Sequence, residues 1–562
     1  MKTTITYGLA GTQMRAAYLA AACCAAAAAA SPNSEAPAPE SPAEAPRIVN
    51  IINFIRGIEP RTDVDLLLPV AEQIRLLNEH GLPATFLIQY DAMQQERFVS
   101  LLRDQLADAC EIGGWLEVVQ PLVEEAGIPW RGRYPWDWHS HVGFAPGYTP
   151  AERERIVDVF MAGFEKTFGR LPKSMGSWFM DAHTLGYLAD RYGVAASCNC
   201  KDQLGTDGYT LWGGYWNQAY YPSRVNALMP AQHPARQIPI PVFRMLGSDP
   251  IYQYDANRGT GHQSVVSLEP VYKDGGGSPQ WVRWFFRVMT DAPCGAFAYA
   301  QAGQENAFGW PAMGEGLTDQ FALLAELAAR GAVRVETLEA SARWFRERFP
   351  VTPATSVVAL EDWQGEGRRS VWYNCRHYRA NLFWENGGFR IRDIHRFDEA
   401  YPERYLTQPV TTPSCVYDTL PVVDGNMWSS AETGAGMYAV AADEAGRITP
   451  LTGGEPSVDE PAPGELRIAW PAKPAGTLTV RLREDGIGVY GAGLPNWALA
   501  LLWSPDKTPP VVSAEQRAVS YEHNGFAYRI EAAQGRFERV AGEPRLMLLP
   551  EEDAVELRFG GQ

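Results

Sequence analysis

Residues 84–119 read ATFLIQYDAMQQERFVSLLRDQLADACEIGGWLEVV, and the change of period inside this stretch decides the fold class. ATFLIQY is a short, almost wholly apolar run with Pro83 before it, the pattern of a strand buried on both faces. The stretch from Glu96 to Asp108 has the length and apolar spacing of a helix, and CEIGGW returns to a strand pattern. Working upstream, RIVNIINFI (47–55) is another β-rich run. It is followed by an expected helix from about Asp63 to His80, with Val70, Ile74 and Leu77 on one face and Gly81 as its stop. Strands that alternate with helices in this order imply a parallel sheet with right-handed crossovers.

Downstream, TPAE carries a complete helix start: Thr149 as cap, Pro150 in the first turn, and Glu152 closing a capping box. Ile156, Val159, Phe160 and Phe164 mark the buried face, and Gly169 ends the helix. Strand KSMGSWFM, helix TLGYLADRYG and strand VAASCNC follow, then strand GAFAYAQ (295–301) and helices near Asp319–Arg330 and Glu336–Arg348. After Pro350 the character changes to short strands between turn residues, among them RSVWYNCRHYRANLFW, GGFRIRDI, GTLTVRLRE, GFAYRIEAA and AVELRF, the pattern of an all-β sandwich. The reading is α/β, a (β/α) barrel over 47–350, followed by a β-sandwich region over 351–562.

Residues 1–46 read as leader rather than fold. Arg15 precedes AAYLAAACCAAAAAA, and SPNSEAPAPESPAEAP follows as a Pro/Ala-rich tether. This predicts export to the periplasm or cell surface. Cys23 or Cys24 stands where a lipoprotein carries its acylated cysteine, although Ala20 replaces the usual leucine; an ordinary cleaved signal is the alternative. The six later cysteines, Cys110, Cys198, Cys200, Cys294, Cys375 and Cys415, are too scattered for a disulfide framework, and CNC at 198–200 lacks a zinc site's spacing.

The formal charge of −17 disfavours nucleic acid as partner, since no stripe of Lys and Arg is available to release counterions. With 18 Trp, 24 Tyr and 22 Phe, the composition suits neutral sugars, whose C–H faces stack on rings.

The runs LLNEHGLPATFLIQYDAM, CEIGGW and GFEKTFGRLPKSMGSWFMDAHTLGYLADRYGV resemble the polysaccharide deacetylase superfamily, which shares a distorted (β/α) barrel with alpha-mannosidase-type and amylopullulanase-type glycoside hydrolases. The resemblance covers roughly residues 47–200 and extends to uncharacterised secreted bacterial barrel-plus-β-sandwich proteins. In the deacetylases the first strand ends in a pair of aspartates, and the third carries histidines four residues apart. Here Ile55 and Arg56 occupy the aspartate positions, and Trp115 and Val119 the histidine positions, so the metal ligands are not matched.

Catalytic side chains of such barrels sit at the C-terminal ends of the parallel strands. Glu117 and Asp181 fall there, and a carboxylate pair in an aromatic setting is what glycoside hydrolysis requires, at about 5–5.5 Å for retention or about 6.5–9.5 Å for inversion. The expected function is therefore an exported, metal-independent glycoside hydrolase acting on an oligo- or polysaccharide and needing no cofactor. Glu117 is expected to be the acid, and Glu305, Asp202 and Asp249 stand in reserve. The competing structural readings are that Glu117 pairs with Arg131 or Arg133 and that Asp181 caps the helix near His183.

Trp115, Trp136, Asp137, Trp138, His139, His141 and Trp178 form the expected substrate subsite, with Trp212, Tyr215, Trp216 and Gln301 from later loops. One rival reading makes Asp137, His139 and His141 the metal ligands of a carbohydrate deacetylase. The other makes the chain a glycan-binding protein without turnover.

Overall fold

The computed structural model describes residues 45–443, 447–539 and 542–560. The leader, with Cys23 and Cys24, lies outside them. Seven parallel strands form the first sheet in the spatial order Ala298–Ala302, Arg47–Ile55, Thr85–Ile88, Glu111–Trp115, Ser174–Gly176, Ala196–Asn199 and Val242–Arg244, with Ala219–Tyr220 antiparallel at one end. Arg334–Glu336 pairs beside the first half of Arg47–Ile55. Apart from Arg47, the strand Arg47–Ile55 is buried throughout, as a parallel strand covered on both faces must be.

The sheet curls into a nearly closed barrel, and Gln301 spans the seam: its Oε1 accepts from the Leu246 amide at 2.8 Å and its Nε2 donates to the Ile52 carbonyl at 3.2 Å. The helix over Leu67–His80 begins four residues later than the sequence suggested. Asp65 accepts the Leu67 amide at 2.8 Å, which makes the preceding residues a turn. The capping box of Thr149 and Glu152 opens Pro150–Phe168, and Gly169 closes it in the left-handed region at φ 70°.

From Thr355 onward every regular element among the described residues is a strand. Two large antiparallel sheets result, one from Thr355–Ala359 to Arg536–Arg539 and one from Ser457–Ala462 to Val511–Glu515. Strands Glu465–Pro471 and Thr477–Arg483 alternate buried and half-buried residues, putting Leu466, Ile468, Trp470, Leu478, Val480 and Leu482 into the core. These sheets are locked to the barrel: Cys415–Asp418 pairs in parallel with Tyr209–Trp212, a loop strand of the barrel rim, and one hydrophobic core runs through both regions.

Candidate active site at the barrel mouth

Because the strands are parallel, the residues that follow them gather at one end. Arg47–Ile55 leads to Arg56, Thr85–Ile88 to Gln89, Glu111–Trp115 to Glu117, Ser174–Gly176 to Trp178, Ala196–Asn199 to Lys201 and Ala298–Ala302 to Glu305. Arg56 stands at the centre. Its Nε and Nη2 donate to the two oxygens of Glu117 at 2.9 and 2.6 Å, its Nη1 to Glu59 at 3.2 Å, and Nη2 lies 3.1 Å from Glu305 Oε2. Gln89 Nε2 adds a third donor to Glu117 at 2.8 Å. The Arg56 guanidinium lies 4.1 Å over the Trp136 ring, and Arg61, paired with Glu59 at 2.8 Å, lies over Trp136 and Trp138. Burial by itself would favour deprotonation of Arg56, but Glu117, Glu305 and Glu59 more than offset it and raise its pKa.

Glu305 is the carboxyl that this cluster leaves incompletely satisfied. It lines the cleft with Trp136, Trp138 and Trp178, yet Oε2 makes no well-formed hydrogen bond. Burial pushes its pKa up to about 7, against the pull of Arg56 and with the help of the Glu117 charge. Asp91, behind the cluster, is likewise pushed up to about 7, first by burial. Asp207 and Tyr209 complete the lining. Asp207 is exposed and held at φ 54° in the turn at Thr206–Gly208, a left-handed conformation that an aspartate tolerates better than most side chains. The free space is about 40 Å³, room for a water or two and less than a sugar ring, so a sugar could enter only if half-buried Trp138 and exposed Arg61 moved.

The structure does not assemble Glu117 and Asp181 as a pair. Glu117 is wholly buried under Arg56 and Gln89, and neither Arg131 nor Arg133 is its partner. Asp181, also wholly buried, accepts from the Thr184 amide at 2.9 Å as the cap of Ala182–Tyr192 and from Arg153 at 2.8 Å, so the capping reading of the sequence holds. Its neighbour Glu403, which accepts the Ala182 and Ala227 amides, is pushed up to about 8 by burial and by the Asp181 charge.

Two of the reserve acids are architectural as well. Asp202 is bound by Arg244 at 2.6 Å and by Arg379, and Asp249 accepts the indole N–H groups of Trp281 and Trp363 at 2.8 and 3.0 Å. Of the aromatic candidates, Trp136, Trp138 and Trp178 line the cleft. Trp115 packs behind them against Phe54 and Trp178. Trp216 stacks on Trp372 at 3.7 Å, Trp212 donates to Asp424, and the Tyr215 hydroxyl donates to the Pro353 carbonyl, all away from the mouth. Gln301 serves the barrel seam.

A metal is not accommodated by the residues present. Ile55 and Trp115 are buried apolar side chains at two ligand positions, and Arg56 brings a cation to a third. Asp137 has both oxygens taken by Arg133 at 2.8 Å, which also approaches His139 at 3.3 Å, and these bonds hold Asp137 well below the usual carboxylate range although burial opposes them. Among the described residues no group of three His, Cys, Asp or Glu side chains is arranged to hold a metal ion.

Sequence reasoning missed the central member of the site, Arg56. Against the family pattern Arg56 is only a lost ligand, though a lone arginine directly after an apolar strand is itself a signal of buried carboxylates. Lys201, outside the cleft lining, is 1% exposed and its Nζ makes no hydrogen bond, while its charge falls on buried Glu269.

No family model and no curated protein matches the chain. Similar folds are found among solved structures. A Parabacteroides distasonis protein provisionally described as a glycoside hydrolase/deacetylase is 15% identical, with a TM-score of 0.49, over 67% of this chain and 91% of that one. A Mycobacterium smegmatis protein provisionally described as a polysaccharide deacetylase is 15% identical, with a TM-score of 0.36, over 57% and 97%. An allantoinase is 14% identical, with a TM-score of 0.35, over 57% and 96%. At these identities the likeness is one of fold alone.

Proposed function

We propose that this chain is an exported carbohydrate-active hydrolase, a glycosidase that works without a resident metal, with Glu305 as its general acid. The supporting observation is the state of Glu305: a cleft-lining carboxyl among tryptophans whose pKa of about 7 keeps a large share of it protonated at neutrality and most of it below. A protonated acid there can deliver its proton to a glycosidic oxygen. Asp207, exposed on the opposing turn, is the carboxylate suited to act on the sugar carbon or on a water. Arg56 holds the charge of Glu117 inside the barrel, so that Glu117 orients the cluster and takes no proton from substrate.

The test is turnover of the purified full chain on a panel of 4-nitrophenyl glycosides and polysaccharides, beside Glu305→Gln. Hydrolysis by the native chain that the amide variant lacks supports the reading, and equal turnover by both would sink it. A second reading is favoured by the cleft's small free volume: a glycan-binding protein in which the ion cluster has filled a retired active site. Binding of a glycan with no release of product from any member of the panel would establish that reading instead.

A further inference from the structure

A cavity larger than the barrel mouth's lies away from it. About 310 Å³ of space lies between the rim strand Tyr209–Trp212, its partner Cys415–Asp418, the turn at Asp424–Trp428, the segment Lys507–Pro510 and His523. The two strands are shared walls. Their alternation puts Tyr209 on the barrel mouth, with Tyr417 packed on that side, and turns Thr210, Trp212, Val416 and Asp418 toward the second cavity.

This cavity combines apolar and polar walls. Trp212, Trp428 and Met427 supply ring and thioether surface, and Met427 is 44% exposed at the rim. The carboxylates around it are already satisfied locally, and the one lysine of the lining, Lys507, lies 3.7 Å from Asp506. Asp418 accepts from Arg404 at 2.6 Å and His523 at 2.9 Å, while Asp424 accepts the Trp212 indole at 2.8 Å, the Tyr254 hydroxyl at 3.3 Å and the Met427 amide at 2.8 Å. His395 is the exception. It lines the cavity and is 1% exposed, its Nδ1 meets Thr419 Oγ1 at 2.9 Å, and its Nε2 has no hydrogen bond, lying 3.5 Å from Asp424 and 3.7 Å from Asp393. A site whose charges are neutralised at home makes no demand for an ion; its stacking surfaces and spare polar valence call for a ligand with flat C–H faces and hydroxyl groups.

We infer that this cavity is a second, separate binding site for a neutral saccharide, backed against the barrel mouth across the ribbon of Tyr209–Trp212 and Cys415–Asp418. The inference stands on the cavity's own chemistry and does not depend on Glu305. Four neutral hexasaccharides, of glucose, xylose, mannose and N-acetylglucosamine, are titrated calorimetrically into the full chain and into Thr508→Trp. Thr508 is exposed on the cavity wall, so the larger ring obstructs the space without touching the core.

The expected result is binding of at least one hexasaccharide by the native chain, weakened tenfold or more in Thr508→Trp at unchanged melting temperature. Trp428→Ala, which removes a wall ring, should weaken the same binding by a similar factor. Failure of all four sugars to bind, or binding indifferent to Thr508→Trp, overturns the inference. Loss of turnover in Glu305→Gln with this binding intact would leave the two sites' fates distinguishable.

Discussion

Two buried ion clusters face different fates in this molecule. At the junction between barrel and sheets, Arg379 binds Asp393 through two bonds of 2.9 Å and also binds Asp202, whose other oxygen takes Arg244 at 2.6 Å. Two guanidiniums meet two carboxylates, and every charge has a partner. At the barrel mouth, Arg56 and Arg61 face Glu59, Glu117 and Glu305. One carboxylate exceeds what the cations can hold, and on Glu305 burial first, then the Glu117 charge, push the pKa up to about 7. A balanced buried cluster is architecture, whereas an unbalanced one that lines a cleft stores a transferable proton.

The contrast is tested most severely at the junction. Arg379→Met leaves Asp202 and Asp393 buried without their common cation and should cost about 4 to 5 kcal/mol in chemical denaturation. If it costs less than about 1 kcal/mol, the cluster is not architectural. At the mouth, Glu305→Gln should lower turnover about a thousandfold with the unfolding midpoint at and above neutral pH held or raised, because there the stability that the bound proton supplies is being lost.

The pH dependence sharpens the same point. The Glu305 carboxyl binds its proton more tightly folded, with a pKa of about 7, than unfolded, near 4.5. Its contribution to stability is therefore full below the unfolded value and is lost as pH rises toward 7, by about 3 kcal/mol in all. Glu305→Gln should flatten that part of the stability profile, leaving the similar slope that Asp91 contributes, and in the native chain turnover should decline above about pH 7 as the acid ionises. The smallest effect is expected at Asp181→Asn. It keeps a cap acceptor but uncouples Arg153, for a loss of about 2 kcal/mol in stability and a turnover within about twofold of native. A large fall in turnover there would return Asp181 to the chemistry.

The alternation of strand and helix in the barrel was legible because period and turn residues are local properties. The missing metal ligands were legible for the same reason, since position along a strand decides which side chain reaches the mouth. The fates of the individual acids were not. Asp202 is held by Arg379 from 177 residues away, and Asp181 by Arg153 and by a helix whose start is its own backbone. Nothing near Glu117 in sequence announces Arg56, 61 residues before it. Glu305 was within reach because it follows a strand, but what separates it from Glu117 is a count of neighbouring charges, and that count exists only in three dimensions.

The ribbon of Tyr209–Trp212 with Cys415–Asp418 also sets an order in time. A barrel usually completes itself from its own consecutive segments as the chain is made. Here the rim strand must wait about two hundred residues for its partner, through the whole remainder of the barrel and the first strands beyond it. Until residue 418 has left the ribosome, Tyr209–Trp212 keeps an open edge, and until residue 379 has, Asp202 waits for its second cation, so the mouth of the barrel is finished by the region that follows it.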